Sequence, residues 1–276
     1  IAWVVSGMTG GVAPVVAHAA QAGKLDFFPP PDPWLWITFL GAWVTMMFGS
    51  IPQQDVFQRV MSAKSENIAV AGSVLGGSFY FFFAFVPLTI AYSATLIDPG
   101  LVSGLLDKDS QMILPQLILS HMPVFAQIMF FGALLSAIMS TASGTLLAPS
   151  VTFSENILKP YLRHHNDKTL LLTMRVVVVC FAAVVTLFAL YSNASIYQMV
   201  ENAYKITLVV AFVPLVSGLY WQRACKQGAY LSIALGLAVW LPMEIWLPEG
   251  EALMPPQFAG FLASVTGMIV GSLAPQ

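Results

Sequence analysis

Two adjacent hydroxyls, Ser140 and Thr141, lie in a long apolar run, with the Ala137 carbonyl one helical turn earlier. Hard cations take oxygen ligands. Neutral oxygens would hold sodium loosely enough to release it again, as a coupling ion requires. The same run repeats Gly132, Ser136, Ser140 and Gly144 every four residues, one narrow small-residue stripe on a helix. Such a stripe also serves close packing against another membrane helix, and a hydroxyl can bond back to the carbonyl four residues before it. The residues alone leave both readings open.

Lys205 is the second group with chemistry. It falls about ten residues into an apolar run, roughly 15 Å from its outer end by helical rise. An ionisable group at that depth points to function, and a buried pair with Glu201, four residues earlier on the same face, is the structural alternative. If Lys205 faces a cavity, it favours a carboxylate-bearing solute. The third feature is Gly49 to Glu66, where a Trp-rich apolar run turns abruptly polar. Pro52 breaks a helix, and Gln53, Gln54, Asp55, Gln58, Arg59 and Lys64 need water or a polar cavity. Trp43, Met47 and Gln53, near this break, are candidates for the wall of a solute pocket, and core packing is the alternative for Trp43. Asp55 and Arg59 are spaced to pair at the mouth of that opening, for gating or for structure.

The elements that must position these groups are membrane helices. Apolar residues are 58% of the 276, charged residues 9%, and mean hydropathy is +0.79. Soluble domains carry about 25% charge. Eight apolar runs approach the ~20 residues that span a bilayer: 1–20, 34–50, 67–97, 116–150, 169–192, 195–221, 228–247 and 256–274. The first reads as a truncated helix, as in a piece of a longer chain. Arg59, Lys64, Lys159, Arg163, Lys168, Arg175, Arg223 and Lys226 fall in alternate connections, which makes 51–66, 151–174 and 222–227 cytoplasmic. The outer connections 21–33, 98–115, 193–194 and 248–255 are rich in Pro, Asp and Glu, and Met112–Pro115 predicts a short helix on the outer face.

Several classes are excluded. No basic run points to nucleic acid. Cys180 and Cys225 make neither a disulfide framework nor a metal cluster, and His18, His121, His164 and His165 lack ligand spacing. An intramembrane enzyme would need a converging nucleophile and base, or metal ligands, in the helices.

Three segments together closely resemble the sodium:solute symporter family: Gly49–Val60, Ser136–Ser143 and Ser154–Arg163. The resemblance extends over essentially the whole chain. It implies an all-α membrane protein of leucine-transporter-like fold, with a core of inverted five-helix repeats. Residues 1–20 would then be the end of the fifth core helix, 34–221 the second repeat, and 228–274 two C-terminal helices of a single membrane domain. It implies that Ala137, Ser140 and Thr141 are sodium ligands, completed by a first core helix that this chain lacks. The function implied is sodium-coupled symport of a small organic solute, with sodium, the solute and the lipid bilayer as partners, no cofactor beyond the coupling ion, and no enzymatic step. The location expected is a bacterial inner membrane. A second class is the solute-sensing membrane domain of a histidine kinase with the same fold. Residues 49–60 and 112–115 are similar to the choline-transporter branch. That branch has an aromatic residue where Gln53 stands and an acidic residue near the position of Lys205. Both departures favour a carboxylate or amino acid-like solute over a quaternary amine.

With most of one repeat missing, the 276-residue chain alone is expected neither to bind sodium tightly nor to transport. Sodium-dependent uptake by this chain in proteoliposomes would refute that.

Overall fold

The computed structural model describes residues 1–161, 166–192, 194–247 and 252–274. The side chains of Gln54, Asp55, Gln58, Arg59 and Asp167 are outside the described residues, and so are Arg163, His164 and His165 entirely. The expected Asp55–Arg59 pair therefore lies outside them too. The described residues are all helical, without a strand. Among the described residues six helical segments are long and apolar enough to cross a membrane, Glu66–Ile97, Val124–Tyr161, Lys168–Tyr191, Ile196–Tyr220, Lys226–Trp246 and Pro256–Leu273, or seven if the bent pair Ala2–Thr9 and Val12–Gln21 is one span. Pro33–Gly49 is a shorter apolar helix of 17 residues.

The chain forms two compact units. The first comprises Ile1–Leu25 and Val60–Asn193. It opens with α1 (Ala2–Thr9) and α2 (Val12–Gln21), which meet at a 69° bend. This corrects the expectation of one helix over 1–20. The cause is Gly10 and Gly11, whose φ angles of 74° and 115° leave the right-handed helical region. The Gly11 amide bonds back to the Ser6 carbonyl at 2.7 Å, and the Thr9 hydroxyl donates to the Gly11 carbonyl at 2.9 Å. Two of the backbone groups freed at the bend are thus satisfied within the protein.

Next comes α5 (Glu66–Ile97), entered through a Ser65 cap on the Ile68 amide; α4 (Gln54–Met61) precedes it and straddles the boundary between the units. At 32 residues α5 is about 48 Å long, more than the ~30 Å hydrocarbon thickness, so it tilts or runs past the membrane. Between α5 and α8 lie α6 (Pro99–Leu105) and α7 (Ile113–His121); the short helix expected at Met112–Pro115 is the start of α7, and the run expected over 116–150 is divided at Met122 and Pro123. Asp98 starts α6 by accepting from the Leu101 amide at 2.9 Å. α8 (Val124–Phe153) continues through a π-helical turn at Ser154–Leu158 and packs on α9 (Asp167–Tyr191). Val5, Ile118 and Met122 form a buried cluster. Phe79, Tyr80, Phe81, Phe82 and Phe83 are exposed, as expected of a lipid-facing stretch.

The second unit comprises Asp26–Arg59 and Ala194–Gln276. α3 (Pro33–Gly49) begins where Asp32 accepts from the Trp34 and Leu35 amides, with Pro33 at the first position. It ends at the break read from Pro52. α10 (Ile196–Thr207) and α11 (Val213–Tyr220) flank a π-helical turn at Leu208–Phe212 and form one span. α12 (Lys226–Trp246) and α13 (Pro256–Leu273) are the closest helix pair. Gly228, Ser232 and Gly236 face Gly260, Ser264, Gly267 and Gly271, and the Ser232 and Ser264 hydroxyls bond at 2.8 Å inside the seam. Phe48 stacks on Phe212 with centroids 4.6 Å apart, beside Phe261.

A Cβ on Gly267 would stand 2.7 Å from the Leu231 carbonyl oxygen, whereas one on Gly132 of α8 would meet nothing within 4 Å. Gly267→Ala should therefore cost about 1–3 kcal/mol and lower the melting temperature in detergent. Gly132→Ala should leave it unchanged or slightly higher. Equal melting of the two variants would show that the α12–α13 seam is not tightly packed.

Candidate functional site

The oxygens singled out on α8 lie on an open surface. Ala137, Ser140 and Thr141 are all exposed. The Thr145 hydroxyl donates to the Thr141 carbonyl at 2.9 Å, the usual way a helical threonine satisfies itself. The Ala137 carbonyl keeps its second lone pair beyond the helical hydrogen bond. A Cβ on Gly132 or Gly144 would meet no neighbour within 4 Å. Among the described residues nothing packs closely on the small-residue stripe at these two glycines.

Lys205 is better enclosed. α10 starts from a capping box, in which the Ser195 hydroxyl accepts from the Gln198 amide and the Gln198 side chain from the Ser195 amide. That fixes the register of the helix. At its other end the Thr207 hydroxyl donates to the Gly49 carbonyl, and a Cβ on Gly49 would collide with the Tyr204 carbonyl oxygen. The last residue of α3 is thus held against α10, and the polar segment that follows starts from a fixed point.

Within this frame Lys205 Nζ lies 3.8 Å from Glu201 Oε1, the pair its spacing predicts, and only 2.9 Å from Glu244 Oε1 on α12. Trp240 Nε1 donates to the other Glu244 oxygen at 3.2 Å. The side chains of Lys205, Glu201 and Glu244 are 15%, 28% and 32% exposed, so all three charges are partly withdrawn from solvent. A cavity of about 320 Å³ opens beside them, lined by Trp34, Thr38 and Ala42 of α3 and by Gln257 of α13.

The solute-pocket candidates are not all brought together. Trp43 and Met47 are exposed on α3, and Gln53 is half-buried after it; none of them lines the Lys205 cavity. The α3 residues that do are 34, 38 and 42, spaced at helical intervals. Trp34 is one of them, while Trp36 stacks on Phe28. Sequence reasoning missed Glu244 and Trp240. The signal was present, because a carboxylate in an apolar run of this length needs a partner as much as Lys205 does.

The described residues thus form an all-helical fold with several membrane-length apolar helices, a charged cavity in the second unit and exposed oxygens on α8 in the first. The model of the sodium:solute symporter family matches residues 10–236. The chain belongs to that family. It is 29% identical over 213 residues to the high affinity choline transporter 1 of Homo sapiens, covering 72% of this chain and 35% of that one. The Caenorhabditis elegans high-affinity choline transporter 1 is 27% identical over 217 residues, 74% of this chain and 37% of the relative. The Bos taurus sodium/mannose cotransporter is 23% identical over 256 residues, 83% and 41%. The chain thus spans little more than a third of the length of the relatives it matches. A solved Na+-coupled sialic acid symporter, in a substrate-bound outward-open state, has the same fold, with a TM-score of 0.68 at 18% identity over 98% of this chain and 59% of that one.

Lys205→Met would leave Glu201 and Glu244 as neighbouring unpaired carboxylates, at a cost of about 1–3 kcal/mol. The double variant Lys205→Met/Glu244→Gln should recover part of the lost melting temperature. If single and double variants melted together, the Lys205–Glu244 contact would carry no weight.

Proposed function

We propose that the chain is part of a sodium-coupled secondary symporter for a small organic solute, a carboxylate or an amino acid-like molecule, in a bacterial inner membrane. The observation that carries the reading is the open oxygen face of Ala137, Ser140 and Thr141 on α8, in a chain of this family. These three are the sodium ligands. Lys205 is the cation that the solute carboxylate meets, and Trp43, Met47 and Gln53, which do not line its cavity, belong to a separate part of the solute path. Residues 34–221 are the second five-helix repeat, with 1–20 ending the fifth core helix and 228–274 forming two helices beyond the core.

Sodium is cargo here as well as coupling ion. One charge moving across 100 mV releases ~2.3 kcal/mol. At ~1.4 kcal/mol per tenfold ratio that sustains about fiftyfold accumulation of solute before the sodium gradient itself is counted. No bond is made or broken. The solute and ion would reach alternate sides as one helix group moves against another.

The test is uptake in proteoliposomes by the protein expressed from its full coding sequence, across labelled amino acids and carboxylates. Ser140→Ala and Thr141→Ala should each raise the half-saturating sodium concentration about tenfold, the loss of ~1.4 kcal/mol of ion binding. Uptake at saturating sodium should survive. Uptake that needs no sodium, or that follows a proton gradient instead, would overturn the reading.

A further inference from the structure

Glu244 does more than neutralise a lysine. It stands on α12, outside the helices expected to form the transporter core, yet it makes the shortest contact to Lys205. Both of its oxygens are engaged, one by Lys205 Nζ at 2.9 Å and the other by Trp240 Nε1 at 3.2 Å. Glu201, at 3.8 Å from the same ammonium, is held more loosely and keeps acceptor capacity. An ammonium has three donors. One is donated to Glu244, while Glu201, at 3.8 Å, is an ion-pair neighbour beyond hydrogen-bond distance, so the ammonium keeps donor capacity for the cavity.

We infer that Glu244 is a specificity-determining residue that makes this cavity select solutes carrying an amine as well as a carboxylate. The inference rests on the proposed role of Lys205 in meeting the solute. Two carboxylates and one ammonium give the ionised cluster a net charge of −1. A plain carboxylate entering the cavity adds a second uncompensated negative charge, in surroundings that screen it poorly. A plain amine can approach Glu201 only by coming close to Lys205 as well, because that carboxylate oxygen lies 3.8 Å from the lysine ammonium. An amino acid adds no net charge to the cluster: its carboxylate takes a remaining donor of Lys205, and that carboxylate offsets the approach of its own ammonium, which faces Glu201, to the lysine. Glu244, clamped by Trp240, acts through Lys205: it fixes the direction of the ammonium and cancels its excess charge. Lys205 then works as an oriented donor rather than as a general trap for anions. The cavity, at about 320 Å³, is large enough for a small amino acid and its hydration.

The experiment uses the full-length protein, with leucine and alanine each matched to its amine-free acid (4-methylpentanoate, propionate) and its carboxylate-free amine (3-methylbutylamine, ethylamine). Binding is read in detergent as the ligand-induced rise in melting temperature, and transport is read separately as competition against sodium-driven uptake. The native protein should respond to at least one amino acid and bind both matched partners at least tenfold more weakly. Glu244→Gln, nearly the same in shape, should bring the amine-free acid to within about threefold of the amino acid. The change should fall on KM, with the maximal rate largely kept. Glu244→Asp should restore most of the preference, and Trp240→Phe, which releases the clamp, should lie between. A merely structural role would weaken amino acid and acid alike and move the maximal rate, and that result overturns the inference. So does a native protein that binds the plain amine or the plain acid as well as the amino acid, or that responds to none of the six probes. Failure of symport shows up differently, as selective binding without sodium-driven uptake, and leaves the role of Glu244 standing.

Discussion

Hydrocarbon offers no hydrogen bonds, and every polar group carried into it needs a partner from the protein itself. Most local features of this chain follow from that constraint. Where a helix stops inside an apolar run, a side chain or a capping amide takes over the freed backbone groups. Thr9 and the Gly11 amide do this at the α1–α2 bend, and Asp32 does it at the start of α3. Hydroxyls within helices turn back onto carbonyls, as Thr45, Thr89 and Ser150 do. Charges obey the same rule at higher stakes, since an unpaired ion costs several kcal/mol more than an unpaired hydroxyl. Lys205, Glu201 and Glu244 are drawn together for that reason, and α10 and α12 of the second unit become mutually positioned as a result.

That positioning has consequences for α10. The helix is tied at its start by its own capping box, in the middle to α12 through Glu244, and near its end to α3 through Thr207 and Gly49. A residue on it can move little without straining one of the three. The polar segment after Gly49 is the opposite case. It leaves a fixed point and enters a short helix of strongly polar character, α4. A rigid anchor beside a polar opening is a workable arrangement for a cavity that must open to water while its charged wall keeps its shape.

Much of this was legible in the residues. The apolar runs foretold the spans because length and hydropathy are summed properties, insensitive to detail. The break at Pro52 was legible because proline removes a donor at a known place, and the Glu201–Lys205 pair because a spacing of four is local. The bend at Gly10–Gly11 was not seen, although two consecutive glycines in an apolar run are the residues that permit it; the run was continuous in hydropathy, and hydropathy does not register backbone dihedrals. Glu244 was missed because its contact with Lys205 joins residues 39 apart, and no spacing rule reaches that far. Which face of α3 looks into the cavity depends on helix rotation. Trp43 and Trp34 differ in rotation and not in composition, so aromatic content alone could not choose between them.

The most instructive case is a pair of stripes with the same composition and opposite fates. On α12, Gly228, Ser232 and Gly236 are buried against α13, and the serine hydroxyls of the two helices satisfy each other at 2.8 Å. On α8, Gly132, Ser136, Ser140 and Gly144 repeat the same small-residue pattern, but the glycines meet no neighbour. The difference lies in the partner. α13 presents its own complementary stripe, Gly260, Ser264, Gly267 and Gly271, so the backbones approach until a Cβ no longer fits. A stripe closed in this way uses up its oxygens in the seam. A stripe left open keeps them, and hydroxyl and carbonyl oxygens held in register on a helix within a nonpolar setting are a poor surface for lipid and a good one for a hard cation. Openness is therefore what distinguishes Ser140 and Thr141 from Ser232 and Ser264 among the described residues.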